Sequence, residues 1–200
     1  MFFNEIMMAY FLTFIALFLA FIGTLIIVIL GSIGTYLIFA GKFMRFSPPV
    51  PSSGRTKKAL LQDAAAFLEA RQNLTVVDLG SGWGTLLLPL AKKFPQHRFV
   101  GYELTKLPYF ISRWRGRKLA NLQFKRQDFF AADLSEANVV FCFLLPAAMQ
   151  KCQEKIVPRL QNGAVLYANR FALPNVAPTR SESLGSAYET YYVYYIENKV

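Results

Sequence analysis

From Ile6 to Gly41 the chain carries no charged residue. An α-helix needs about 20 apolar residues to cross the hydrocarbon core of a bilayer. This run exceeds that length, so the pattern predicts one transmembrane helix over Tyr10 to about Leu30, inside an N-terminal membrane anchor of residues 1–45. The rest of the run tilts or carries the helix out of the bilayer. A cleaved signal peptide would show a basic start and an apolar stretch of about 7–15 residues, whereas this start carries Glu5 and neither Lys nor Arg. A buried helix of a soluble core would show a polar stripe, and none is visible. A two-helix hairpin would need a polar turn near Gly23 or Gly31–Gly34, whose flanks stay apolar.

Residues 46–57, through "FSPPVPSSGRT", read as a linker rich in Pro and Ser, and residues 58–200 as the second domain. Ser52 or Ser53 can cap a helix over Thr56–Ala70, where Leu60, Leu61, Ala64, Phe67 and Leu68 recur at helical spacing. Short apolar runs then alternate with helical ones. "LTVVDLG", "HRFVGYEL", "NLQFKRQD", "NVVFCFLL" and "GAVLYANRF" read as strands, the fourth so continuously apolar that it is expected to be buried on both faces. "GTLLLPLAKKF", "PYFISRWRGRKLA" and "AAMQKCQEKIVPRL" read as helices, the first bent by Pro89. "AYETYYVYYIEN" has the composition of a strand that pairs antiparallel at the sheet edge, after a long polar connection. Repeating β-α units predict an α/β fold: a doubly wound, mostly parallel, Rossmann-like sheet with helices on both faces.

Charge changes the picture in one respect. All 22 Lys and Arg residues follow the apolar run, beginning with Lys42, and the net charge is +10. The positive-inside rule places the following domain on the cytoplasmic side. No Arg-rich transit peptide precedes the anchor, so the expected location is a prokaryotic plasma membrane, with the mitochondrial inner membrane as the alternative. Such a balance fits a nucleic-acid binder, and it fits attraction to an anionic leaflet equally well; the cluster "RWRGRKLANLQFKR", Arg113 to Arg126, is the candidate face. Cys142 and Cys152 lie in a strand-like and a helical run, a placement that does not suggest a disulfide. No metal-ligand spacing occurs, and His97, the only histidine, reads as a surface loop residue.

The candidate chemistry sits in "TVVDLGSGWGTLLL", Thr75 to Leu88. Ligands of doubly wound sheets bind beyond the carboxyl ends of the strands, and a glycine turn there lets backbone approach the ligand without a Cβ between them. Nicotinamide and flavin dinucleotides use G-x-G-x-x-G, but a third glycine counted from Gly80 would fall at residue 85, which is Thr85. The pattern here is D-x-G-x-G-x-G, formed by Asp78, Gly80, Gly82 and Gly84 with Ser81 inside the turn. It is similar to the loop of class I S-adenosylmethionine-dependent methyltransferases. That cofactor carries an ammonium and a sulfonium, so an acid beside the turn makes electrostatic sense. Glu103 ends the second strand, where a carboxylate can accept ribose hydroxyls. Asp128 follows the third strand, placed to accept an adenine amino group, with Phe129 beside the ring.

Taken with "FVGYEL", "FKRQDFF", "NVVFCFLLPAAMQK" and "NGAVLYANRFALP" in this order, the chain from about Pro48 to Pro174 resembles the small membrane-anchored class I methyltransferases that include the lysine methyltransferases of ATP synthase c-subunit and of the adenine nucleotide translocase. The resemblance implies that Asp78, Gly80, Gly82, Gly84, Glu103 and Asp128 contact S-adenosyl-L-methionine and that Pro146 lines the substrate side. It departs at Trp83, where many relatives carry an acidic or polar residue; a tryptophan there narrows or caps the pocket. Phe143, Leu144, Leu145 and Pro146 form an apolar mouth that would favour a neutral lysine amine. Tyr102 and Tyr109 are candidate bases by proximity alone, with packing the expected role for both; the catalytic residues are otherwise unassigned. The expected function is methylation of a lysine on a membrane or membrane-associated protein, with the bilayer as a partner and neither nucleic acid nor metal. The alternatives are methylation of a lipid or small hydrophobic molecule, and a non-catalytic adenosylmethionine-binding membrane protein. A nucleic-acid amino methyltransferase commonly carries N/D-P-P-Y/F after the fourth strand, where this chain has "FLLP".

Overall fold

The computed structural model describes residues 2–43, 54–186 and 189–197. The chain divides into two compact units, Met1–Pro48 and Pro49–Val200.

The first unit contains α1, Phe2–Phe43, one uninterrupted helix of 42 residues, which disposes of the hairpin. Its stretch Met7–Tyr36 spans 30 residues, with a mean hydropathy of 2.9 over its most apolar 18, none of them buried. At 1.5 Å per residue such a stretch is about 45 Å long, more than the roughly 30 Å of a bilayer's hydrocarbon. Thr13, Thr24, Ser32 and Thr35 each donate a hydroxyl to the carbonyl four residues earlier, at 2.7–2.8 Å. These side chains are therefore satisfied without water, as an apolar solvent requires. By length and composition this helix can cross a membrane; a signal sequence would pass the same test.

The second unit opens with α2, Gly54–Glu69, which buries Thr56, Leu60, Ala64 and Leu68 along one stripe. Leu61 and Phe67 stay half-buried at its margins. The linker from Phe46 to residue 53 and the capping serines Ser52 and Ser53 lie outside the described residues. Seven strands follow: β1 (Thr75–Leu79), β2 (Arg98–Tyr102), β3 (Leu122–Lys125), β4 (Val139–Cys142), β5 (Val165–Asn169), β6 (Arg180–Ser183) and β7 (Thr190–Tyr195). They form one sheet in the order β3-β2-β1-β4-β5-β7-β6. The first five are parallel, and β7 runs antiparallel to both β5 and β6. The connecting helices are α3 (Leu87–Lys93), α4 (Lys106–Gly116) and α5 (Pro146–Lys155).

Strand alternation sorts the core into two layers. Val76, Phe99, Phe124, Val139, Phe141, Val165 and Tyr167 point to the side covered by α2 and α3, while Tyr109 of α4 is half-buried against that same layer. Val77, Leu79, Val100, Tyr102, Val140, Cys142, Leu166 and Ala168 meet Met149, Cys152 and Ile156 from the α5 side. All four β4 residues are buried, as their unbroken apolar run predicts. Cys142 and Cys152 are buried free thiols.

Three expectations are corrected. The aromatic C-terminal strand is antiparallel but not at the edge: β7 lies between β5 and β6. The edge strand β6 is "RSES", exposed throughout, with no alternation to reveal it. It is held by Arg180, which with the Tyr191 hydroxyl of β7 engages the Asp63 carboxylate of α2. Pro89 bends nothing, because α3 starts at Leu87 and Pro89 falls in its first turn, where a missing N–H costs no helical bond.

His97 is the third. It is not a surface residue but 1% exposed. The Leu74 N–H donates to its Nδ1 at 3.1 Å, which leaves the ring proton on Nε2, 3.1 Å from the Leu68 carbonyl that accepts it. The ring thus ties the end of α2 to the start of β1. Truncating it strands a buried donor and a buried acceptor, each costing about 1–3 kcal/mol. His97→Ala is therefore expected to lower stability by that order in a urea melt, with an unchanged m-value.

Candidate active site

Strand order reverses between β2-β1 and β4-β5, so the chain leaves β1 towards the α3 face and β4 towards the α5 face, the switch point beyond which doubly wound sheets bind ligands. The turn after β1 lies there. Gly80, Gly82 and Gly84 have φ of +81°, +51° and +72°. Side-chain-bearing residues rarely adopt this left-handed region, which is why the glycines alternate. At Gly84 space adds a second reason: a Cβ would sit 2.6 Å from Cζ of Phe124.

The turn is pinned by β2. The N–H groups of Gly80 and Ser81 both donate to the Tyr102 carbonyl, at 3.0 and 2.8 Å. The next residue on that strand end, Glu103, accepts the Gly82 N–H on Oε2 at 2.9 Å and the Thr105 N–H on Oε1 at 2.7 Å. Gly101, two residues earlier, has no room for a side chain: a Cβ would lie 2.6 Å from Phe124 and 2.7 Å from Oγ of Ser81. The Ser81 hydroxyl is buried and meets no hydrogen-bond partner among the described residues.

Asp78 is 7% exposed and pairs in register with Gly101 on β2 and Phe141 on β4. Burial, and behind it the charge of Glu103, push its carboxyl up from an ordinary 3.8 to about 7. A shift of that size is roughly 4 kcal/mol in favour of the neutral acid. Asp128 follows β3, the neighbour of β2, and its Oδ1 accepts the Phe130 N–H at 2.9 Å. That bond opens a one-turn 3-10 helix, Phe129–Ala131. Phe129 is half-buried, its ring tilted against that of Phe130 at a centroid distance of 4.4 Å and packed on the α5-side core.

At the end of β4, Leu145 caps α5 and Pro146 is its first residue, where proline fits without loss. Both are exposed and Phe143 is half-buried. Leu144 does not join them. It is 3% exposed, and its Cδ2 lies 3.8 Å from where a Gly80 Cβ would be, so it floors the turn. The expected cofactor and substrate-side residues therefore lie at the carboxyl ends of the adjacent strands β3, β2, β1 and β4, and of the expected apolar mouth the core takes back Leu144.

Tyr102 is 4% exposed within the α5-side core, and burial raises its phenol. Tyr109 packs edge-on to Phe110 and accepts from Arg113 at 3.4 Å. Both behave as packing residues. Two features escaped the sequence pattern. One is the Tyr102 carbonyl, a backbone group with no side-chain signature. The other is Arg115, which donates to the Trp83 carbonyl at 2.8 Å and so braces the outer part of the turn. A cavity of about 70 Å³ beside Arg98, Tyr102 and Asp133 lies away from the turn and is too small for a nucleoside.

Residues 78–180 match the family described as the ANTKMT methyltransferase domain. The chain is 31% identical over 150 residues to the ATP synthase c-subunit lysine N-methyltransferase of Xenopus laevis, covering 74% of this chain and 62% of that protein. It is 32% identical over 132 residues to the adenine nucleotide translocase lysine N-methyltransferase of Mus musculus, covering 64% and 56%. The match thus spans about three-fifths of these two relatives' lengths. A protein-lysine N-methyltransferase of Saccharolobus islandicus is 28% identical over 160 residues, covering 74% of this chain and 93% of its own. Among solved structures, an RNA methyltransferase from Salinibacter ruber in complex with S-adenosyl-L-homocysteine superposes with a TM-score of 0.64 at 26% identity, covering 76% of this chain and 96% of that one. With the acid-flanked glycine turn at the switch point, and a match that runs from Asp78 to Arg180, the chain belongs to the ANTKMT methyltransferase domain family.

Proposed function

We propose that the protein is a membrane-anchored, S-adenosylmethionine-dependent N-methyltransferase that modifies a lysine of a membrane or membrane-associated protein. The observation that carries this reading is the glycine turn held by Glu103 with the buried Asp78 carboxyl beside it. The relatives named for lysines of the ATP synthase c-subunit and of adenine nucleotide translocase supply the substrate class.

The residues fit the cofactor. A buried Ser81 hydroxyl without a partner and an open space above Gly82, with nothing within 4 Å of a Cβ there, offer a ligand a polar contact and close approach. When bound, S-adenosylmethionine supplies an electrophilic methyl group on a sulfonium. Each Glu103 oxygen uses one acceptor site on the protein and keeps another for a ribose hydroxyl. Asp128 retains Oδ2, which would accept from an adenine amino group, with Phe129 beside it, and the Asp78 carboxylate would answer the charge of the ammonium. Gly80, Ser81, Gly82 and Gly84 form the cradle. On the substrate side, Leu145, Pro146 and Phe143 desolvate the incoming lysine, lowering its pKa towards the neutral, nucleophilic amine. Holding the amine in line supplies most of the remaining effect, roughly 7–11 kcal/mol where alignment is good. The apolar N-terminal helix confines the search to the bilayer plane and raises the effective substrate concentration; the basic residues after it favour the cytoplasmic side.

Glu103→Ala removes charge-assisted acceptors and Gly82→Val fills the cradle while straining a φ of +51°. Each is expected to weaken S-adenosylmethionine binding at least about tenfold by calorimetry; a wild type that gives no heat would overturn the proposal.

The Asp78 shift gives a signed pH dependence. In the free protein the group is protonated more readily than in the unfolded chain. Its stability contribution is therefore full below about 4 and is lost as pH rises through about 7. Cofactor affinity runs the other way, because an ammonium needs the carboxylate, and it should rise with pH and level off above about 7. Asp78→Asn should flatten both profiles, read by thermal melts and by titration calorimetry from pH 5 to 8.

Tritiated S-adenosylmethionine incubated with membranes and the protein should label a protein band, with the label recovered as methyl-lysine after hydrolysis. Label that extracts wholly into organic solvent, or that is lost to ribonuclease, would replace the protein-lysine reading with a lipid or an RNA substrate.

A further inference from the structure

Helix α4 turns its large apolar side chains away from the protein. It buries Pro108, Ser112 and Gly116, small residues that let it approach the sheet closely; a Cβ on Gly116 would already lie 3.1 Å from Leu122 and Phe124. The opposite face carries Leu107, Phe110 and Trp114 at i, i+3 and i+7, with 51%, 55% and 63% exposure, and Leu104 just before the helix is 54% exposed. Lys106, Arg113 and Arg117 run along one flank of this stripe and Arg115 along the other. The Arg117 guanidinium lies 4.6 Å from the Trp114 ring centroid. No acidic residue occurs from Leu104 to Gln127.

We propose that this outward face of α4 docks onto the surface of an anionic bilayer, with Leu104, Leu107, Phe110 and Trp114 at the headgroup–acyl boundary and Lys106, Arg113 and Arg117 on lipid phosphates. Leu, Phe and Trp on one face with Lys and Arg beside them, in a segment that carries no acid of its own, is the composition of an interfacial helix. The charge of the segment complements an anionic leaflet. The site is tied to both ends of the same helix: the Thr105 N–H just before it donates to Glu103, and Arg115 in its last turn holds the Trp83 carbonyl of the glycine turn. Docking therefore presents the turn and the Leu145–Pro146 mouth to targets at the membrane plane, and lipid charge becomes a regulator of the reaction. This deepens the proposed function and rests on the reading that the protein works at a membrane.

The test uses the full chain carrying Trp83→Phe, so that Trp114 is the sole tryptophan, in nanodiscs with acyl-brominated lipids. In discs containing phosphatidylglycerol, Trp114 emission is expected to fall by about half relative to unbrominated discs. In phosphatidylcholine discs, in high salt, or with Arg113→Glu and Arg117→Glu together, most of that quenching is expected to vanish. Protein retained in anionic discs with Trp114 unquenched overturns the docking and leaves the anchor standing. Equal quenching in neutral and anionic discs, or indifference to the charge reversals, overturns the role of lipid charge. Two copies per disc with mutually buried Trp114 assigns the face to a second copy and overturns it as well. Failure of the protein to stay in any disc refutes the anchor alone. The same protein added to vesicles then decides the docking, supported by co-sedimentation with phosphatidylglycerol vesicles only and overturned by none.

Discussion

The N–H donors of the glycine turn are held by acceptors on the neighbouring strand end. The Tyr102 carbonyl takes the Gly80 and Ser81 donors and the Glu103 carboxylate takes that of Gly82. A turn of left-handed residues would otherwise be among the more mobile parts of the fold, since glycine loses the most conformational entropy on ordering. Pinned at three successive positions, it becomes a rigid edge to a crevice. The requirement reaches into the core: Phe124 occupies the space that side chains at Gly84 and Gly101 would take. The identity of a β3 core residue is thereby coupled to the shape of the turn.

The same arrangement sets the electrostatics. Asp78 and Glu103 are of like sign, one buried, and Asp78 answers by holding its proton to about 7. A pyrophosphate would add negative charge to this pair, whereas a cationic ligand relieves it. The site thus separates two cofactor classes that a glycine turn alone does not. Proteins can carry such locally unfavourable groups where a ligand is to compensate them, and perturbed carboxylates cluster at functional sites for that reason. The outward stripe of α4 is likewise left for another surface: Phe110 and Trp114 stand exposed together on one helix face.

The sequence went wrong in places that share a cause. The strand β6 has four polar, exposed residues, so nothing periodic marks it; it is a strand because β7 and the Asp63–Arg180 contact hold it there. His97 looked like a loop residue because Pro95 and Gln96 before it are loop-like, yet two backbone groups 23 and 29 residues away claim its ring. Leu144 belongs to the same apolar run as Leu145, and only the departure of the chain from β4 sends one inward and the other out.

What the sequence determined by itself was whatever is written locally: the charge-free run that makes α1, the short apolar runs that make the five parallel strands, and the Asp-Gly pattern that fixes a left-handed turn after β1. These follow from hydrophobic period and backbone sterics, which need only a few neighbouring residues to be read. Tertiary structure alone decided that Glu103 would meet Gly82, that Asp78 would be buried beside it, that β7 would slip between β5 and β6, and that α4 would bury its small residues and leave its large ones outside. Each of these depends on which elements pack together across long sequence separations, and the free energy of such contacts belongs to the pair rather than to either residue.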